Sequence, residues 1–100
     1  MENTLETGFV LATNSVKMTM AENPQFSIFC QNCLQNHKSG IWGDLEIEDK
    51  ESNDFSLENN ERILSAYEFP PELKIKNEVK IWILTEHDRS VTTILFPSEY

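Results

Sequence analysis

Glycine, cysteine, histidine and basic residues are all scarce in this chain, and each scarcity narrows what it can do. Its three glycines, Gly8, Gly40 and Gly43, include no glycine-rich run able to cradle a phosphate, and neither His37 nor His87 sits in the His-Glu pattern of a metalloprotease. No segment approaches the roughly 20 consecutive apolar residues that span a bilayer. The opening residues, Met1-Glu2-Asn3-Thr4-Leu5-Glu6, carry acids where a secretory signal carries Lys or Arg, which predicts a cytoplasmic protein. In that reducing compartment Cys30 and Cys33 are expected to remain thiols. Eight basic residues against seventeen acidic ones leave a net charge of −9, which repels nucleic acid and anionic lipid alike. Direct DNA or RNA binding and membrane binding are both disfavoured.

Apolar side chains are not scarce. They make up 39% of the chain, with six Phe, two Trp and two Tyr, enough to favour folding over an acidic disordered state. One hundred residues supply a single core, so residues 1–100 read as one domain. Gly8 to Thr13 is a short continuous apolar run and predicts a buried strand. Ser15 is placed to cap a short helix ending near Met20 or Ala21. Asn23-Pro24 is a stronger start signal, because Asn accepts from an unpaired amide and Pro at the first helical position forfeits no hydrogen bond. A helix over Pro24 to Lys38 follows, with Phe26, Phe29, Cys30, Cys33, Leu34 and His37 in one stripe and Gly40 as its stop. Trp42 beside Gly43 predicts a ring packed across a backbone turn. A second helix is expected over Ile47 to Leu57, although its apolar residues share no single face, and Asn59-Asn60 closes it.

The remaining sequence changes period. Arg62 to Phe69 alternates with a period of two and stops at Pro70-Pro71, which cannot donate to a ladder. Val79 to Glu86 and Val91 to Phe96 flank a polar tip and predict a β-hairpin. The fold class is therefore α+β: a three- to four-stranded antiparallel sheet built on a C-terminal meander, joined by the Gly8 strand, with two or three helices packed on one face.

Three features invite a functional reading. The segment from Asp44 to Glu61 holds Asp44, Glu46, Glu48, Asp49, Glu51, Asp54, Glu58 and Glu61 against Lys50 alone, a local charge of −7. It is either a solvated helix face that maintains solubility or a surface for basic proteins. Cys30, Cys33 and His37 lie on one helix face and are zinc-compatible ligands, with His87 or an acid as the available fourth. The second Cys pair of a finger or ribbon site is absent, and small buried cysteines also fill core stripes. The hairpin tip gathers Glu86, His87, Asp88, Arg89 and Ser90. Catalysis needs a nucleophile and base in a cleft, whereas a tip of this kind normally has Asp88 accepting from turn amides and Arg89 pairing with Asp88 or the acidic helix.

Trp42-Gly43-Asp44-Leu45, Leu64-Ser65-Ala66-Tyr67, Trp82-Ile83-Leu84-Thr85-Glu86, Asp88-Arg89-Ser90, Thr92-Thr93-Ile94-Leu95 and Pro97-Ser98-Glu99-Tyr100 together resemble a family of small bacterial proteins of unassigned activity. These are often labelled plasmid-related and sometimes misnamed after a restriction-modification subunit. The likeness covers Ser39 to Tyr100. The family pattern has an acid where Ile41 stands and lacks Cys30 and Cys33. The resemblance implies a bacterial or mobile-element setting and an α+β fold, and no mechanism.

The leading expectation is a non-enzymatic interaction protein of a phage or other mobile element. Its acidic face, with Asp88 and Arg89, would occupy a basic, nucleic-acid-binding host effector such as a nuclease or defence complex, and no cofactor is implied. The alternative from another class is a metal- or ligand-binding regulator using Cys30, Cys33 and His37. A homodimer through the edge strand of the meander is a third expectation.

Overall fold

Asn23 ends one helix and begins the next. Its backbone N–H closes helix α1 (Asn14–Glu22) on Thr19 O, and its side chain accepts from Phe26 N at 3.1 Å, opening helix α2 (Pro24–Lys38). Thr13, rather than Ser15, caps α1, accepting from Val16 N. In the computed structural model, which describes residues 5–100, strand β1 (Phe9–Ala12) precedes these two helices. Helix α3 (Ile47–Asn59) and strands β2 (Ile63–Glu68), β3 (Lys80–Thr85) and β4 (Val91–Leu95) follow, and a 3-10 turn (Pro97–Glu99) completes the order. No helix among these is long and apolar enough to cross a membrane.

The sheet order is β1-β4-β3-β2. The meander from β2 to β4 is antiparallel as the period of two predicts, with Ser65 opposite Ile83 and Thr85 opposite Thr92. The fold is α+β, but the sheet is mixed, because β1 lies parallel to β4 with Val10 beside Thr92. A parallel neighbour requires a long crossover, and everything between β1 and β4 serves as one. The expectation that β1 is buried is corrected as well: Phe9, Val10 and Leu11 are exposed. An apolar run is buried only where both sheet faces and both edges are covered, and β1 is the outermost strand.

Helices α1 and α2 cover one face of the sheet. Val16, Phe26, Cys30 and Cys33 meet Tyr67, Ile81, Ile83, Ile94 and Phe96 there, with Phe26 stacked on Phe96 at 5.8 Å between centroids. The cysteines thus belong to the core stripe. Among the described residues the opposite face carries no α-helix, and Trp82 packs there edge-on to Tyr100 at 5.5 Å. Helix α3 lies along the β2 edge, not on the face. A smaller cluster of Leu5, Trp42 and Ile63, flanked by Leu45 and Leu57, fills the space beneath it.

Two glycines are obligatory for this arrangement. Gly43 has φ +83°, and a Cβ there would run into Ala66 O and the Tyr67 ring; Gly8 has φ +61°, and a Cβ would strike the Ser90 carbonyl. Each brings backbone against an end of the sheet that a side chain would hold away.

Candidate functional site

Helix α3 contradicts the usual rule for an amphipathic helix. Its buried residues are the polar Asn53 and Ser56, while Ile47 and Phe55 are exposed. The reason is its seat. Asn53 Nδ2 donates to Leu64 O at 2.8 Å, and Leu64 N donates to Asn53 Oδ1 at 3.4 Å, so one side-chain amide occupies both outward-facing groups of a strand residue. The neighbouring edge groups are taken too: Ala66 N donates to Trp42 O at 3.2 Å, Asp44 N donates to Ala66 O at 2.7 Å, and Glu68 N donates to Asp44 Oδ2 at 2.9 Å. The β2 edge is closed group by group. Trp42 Nε1 adds a bond of 2.9 Å to Asp54 Oδ1.

The C-terminal end of α3 is held by the hairpin tip. Asn60 closes the helix in the left-handed conformation with its N–H on Ser56 O, as Asn59-Asn60 foretold. Arg89, itself at φ +61°, sends NH2 to Ser56 O at 2.9 Å and NH1 to Glu61 O at 2.6 Å and Glu86 O at 3.2 Å. A cation on exposed C-terminal carbonyls complements the helix dipole. Of the two pairings expected for Arg89 the structure has the one with the acidic helix and not the one with Asp88, and it is made to backbone carbonyls and no carboxylate, because the tip folds back onto α3. Asp88 stays exposed and accepts from both the amide and the hydroxyl of Ser90, at 3.0 and 2.6 Å. Those two bonds hold its carboxyl below the usual value.

The acidic residues thus divide into two sets. Asp44 and Asp54 are engaged in the fold, one on the β2 edge and one on Trp42. Glu46, Glu48, Asp49, Glu51, Glu58 and Glu61 are exposed, and among the described residues the sole ion pair, Arg62 with Glu86 at 3.2 Å, involves none of them. At 100° per residue Glu48, Glu51, Phe55 and Glu58 project opposite Asn53, toward solvent. Phe55 is 63% exposed within that acidic row. Aromatic residues are enriched at the centres of interfaces.

His37 has a different role from the zinc ligand considered for it. It is fully buried, with Nδ1 at 2.6 Å from Ser65 Oγ and Nε2 at 2.8 Å from Thr85 Oγ1. Thr85 Oγ1 lies 2.7 Å from Thr92 Oγ1, and Thr92 Oγ1 donates to Thr7 O at 2.8 Å. That last bond sets every donor before it. Thr92 spends its proton on Thr7 and so accepts from Thr85, which must then accept from His37. The histidine is the Nε2–H tautomer, and Ser65 donates to Nδ1. Burial, with the Arg89 charge adding, lowers the His37 pKa to about 4 and keeps the ring neutral.

Both ring nitrogens are therefore committed to hydroxyls, not to the thiols. Burial pushes Cys30 and Cys33 up to about 12, with Cys30 and Asp44 adding to the effect at Cys33. Among the described residues no group of three or more His, Cys, Asp or Glu is arranged to hold a metal ion. The Ser65–His37 contact has the pairing of a nucleophile and base, with both residues fully buried. A shallow cleft of about 490 Å³ between α1 and the 74–78 loop is lined by Ser15, Thr19, Glu22, Lys74, Lys76 and Glu78 among others, without a histidine or thiol.

Sequence reasoning missed Asn53, Ser65, Thr85 and Thr92. An Asn in mid-helix, where it is a poor helix former, is the one signal that pointed to Asn53. Comparison with protein-family models, curated proteins and solved structures gives no match.

Proposed function

We propose that this is an acidic, non-enzymatic interaction protein. Its target is a basic, nucleic-acid-binding effector, a nuclease or defence complex, whose phosphate-binding surface it blocks. The resemblance to plasmid-related proteins supports a phage or other mobile element as the setting. The observation that carries the reading is the outward row Glu48, Glu51, Phe55 and Glu58 on a helix held through its C-terminal half by Asn53–Leu64, Trp42–Asp54 and Arg89. Carboxylates without internal partners are free to bond Lys and Arg, and pinning the helix lowers the ordering cost of binding. An aromatic among them supplies the apolar anchor that charge alone does not.

The test is capture from a bacterial lysate followed by inhibition of the captured nuclease or nucleic-acid-binding activity. Affinity is expected to fall with salt, and Glu48→Lys with Glu51→Lys to abolish inhibition. Phe55→Ala is expected to weaken binding by at least about tenfold while leaving stability within about 0.5 kcal/mol. Inhibition untouched by charge reversal, or no basic partner in any lysate, defeats the proposal.

A further inference from the structure

The two edges of the sheet are treated in opposite ways. On β2 every outward group from Leu64 to Glu68 N–H has a partner supplied by residues 42 to 53. On β1, Phe9 N and Thr13 N donate to Ser90 O and Ile94 O, so the odd residues face β4 and the N–H and C=O of Val10 and Ala12 face outward. Among the described residues those outward groups have no partner. The side chains are bare as well: Phe9 is 78% and Leu11 51% exposed, on the helix-free face. Beside the strand, on the helix side, runs a mainly apolar groove of about 380 Å³ lined by Val10, Met20, Leu34 and Ile94, with Lys17 as its one charged residue. An exposed edge without Lys, Pro or bulge is a template for another strand.

We propose that the β1 edge receives a second copy of this chain, pairing β1 with β1 antiparallel about a two-fold axis beside Leu11, so that the two sheets become one of twice the width. Charge selects this occupant. Residues 7–37 carry only Lys17 and Glu22, whereas residues 44–100 carry fourteen acids and six bases. Two copies of one acidic chain repel everywhere except at this neutral end, and a basic partner gains nothing there. The strand is also self-complementary. A two-fold at Leu11 sets Val10 against Ala12 of the other copy, exchanging the four outward backbone groups in pairs, and carries the second Val10 to the mouth of the groove. Leu11 meets Leu11 on the opposite face, and the strand itself carries no charge to oppose its like.

Light scattering coupled to size exclusion, across concentration and at ionic strengths from about 0.05 to about 1 M, tests this. The expected mass is about 23 kDa, twice the 11.6 kDa chain, with dimer favoured by salt because screening relieves the repulsion between copies. Leu11→Lys places like charges across the two-fold at a solvent-exposed position and is expected to give monomer with an unchanged circular dichroism spectrum. Leu11→Cys is expected to form an intermolecular disulfide on oxidation, since it faces itself in the non-hydrogen-bonded pair, while Glu48→Lys leaves the mass unaltered. A wild-type monomer at every concentration and salt, a Leu11→Lys protein that stays dimeric, or a dimer in which Leu11→Cys does not cross-link overturns the proposal.

Discussion

Asn53 binds Leu64 as another strand would, its side-chain amide donating to the carbonyl at 2.8 Å and accepting from the amide at 3.4 Å. One residue of a helix thereby imitates a peptide unit. Asn53→Ala leaves both groups unsatisfied in a partly buried site and is expected to destabilise the fold by about 2 kcal/mol in urea denaturation. It should also accelerate hydrogen exchange at the Leu64 amide. Asn53→Asp keeps the acceptor, loses the donor and sets a carboxylate against Leu64 O, so it is expected to be no better than Ala. Stability unchanged in both variants would show that the edge needs no cap.

Arg89 combines a cost with a benefit. Its left-handed backbone is unfavourable for a side chain, and its guanidinium repays this through the α3 carbonyls. Arg89→Ala is expected to lose about 2 kcal/mol, whereas Arg89→Gly loses the same bonds and regains about 1 kcal/mol from the relaxed φ. The order wild type, Gly, Ala in thermal or urea unfolding is therefore diagnostic. Equal stability for Gly and Ala would remove the backbone part of the explanation.

Histidine protonation sets an acid limit. His37 titrates at about 4 in the fold against 6.5 when free, so between those values the unfolded chain binds the extra proton. Its contribution is complete above pH 6.5, declines as pH falls from there, and is lost once pH passes below about 4, a loss of roughly 3 kcal/mol in the limit. Imidazole NMR should report a neutral Nε2–H ring at pH 5.5. A midpoint near 6.5 for His37 in the folded protein would refute the buried relay.

Thiol reactivity follows from burial. Cys30 and Cys33 are held at about 12, far above neutral pH, so a thiol-specific reagent is expected to label neither in the native protein and both in denaturant. Added zinc should leave the melting temperature where it was. Rapid native labelling, or a zinc-dependent rise in stability, would reopen the metal-binding alternative.

Local signals were the legible ones. Asn23-Pro24 and a single apolar stripe foretold α2 residue by residue, and the period of two foretold the meander, because in both cases the information lies within one element. The acidic segment was visible as charge, but which acids belong to the fold was not: Asp44 and Asp54 are committed by partners at Glu68 and Trp42 that only the tertiary fold supplies. Ser65, Thr85 and Thr92 read as ordinary strand residues, and sheet register alone aligns them under His37. α3 looked poorly amphipathic for a good reason, since a helix that seals an edge needs polar groups where a helix on a core needs apolar ones. β1 misled because a short apolar run is read as interior, whereas here it is the rim.

Closing β2 while leaving β1 open gives the sheet a valence of one. Strand addition normally propagates, because each unit that pairs along one edge presents another at its far side, the geometry of fibrils. Here the far side is already terminated by Asn53, Trp42 and Asp44, so pairing through β1 consumes the one open end and stops. A chain that exposes Phe9 and Leu11 on an unguarded strand can thus stop at two copies, and opening its far edge to a third would require displacing Asn53, Trp42 and Asp44 together.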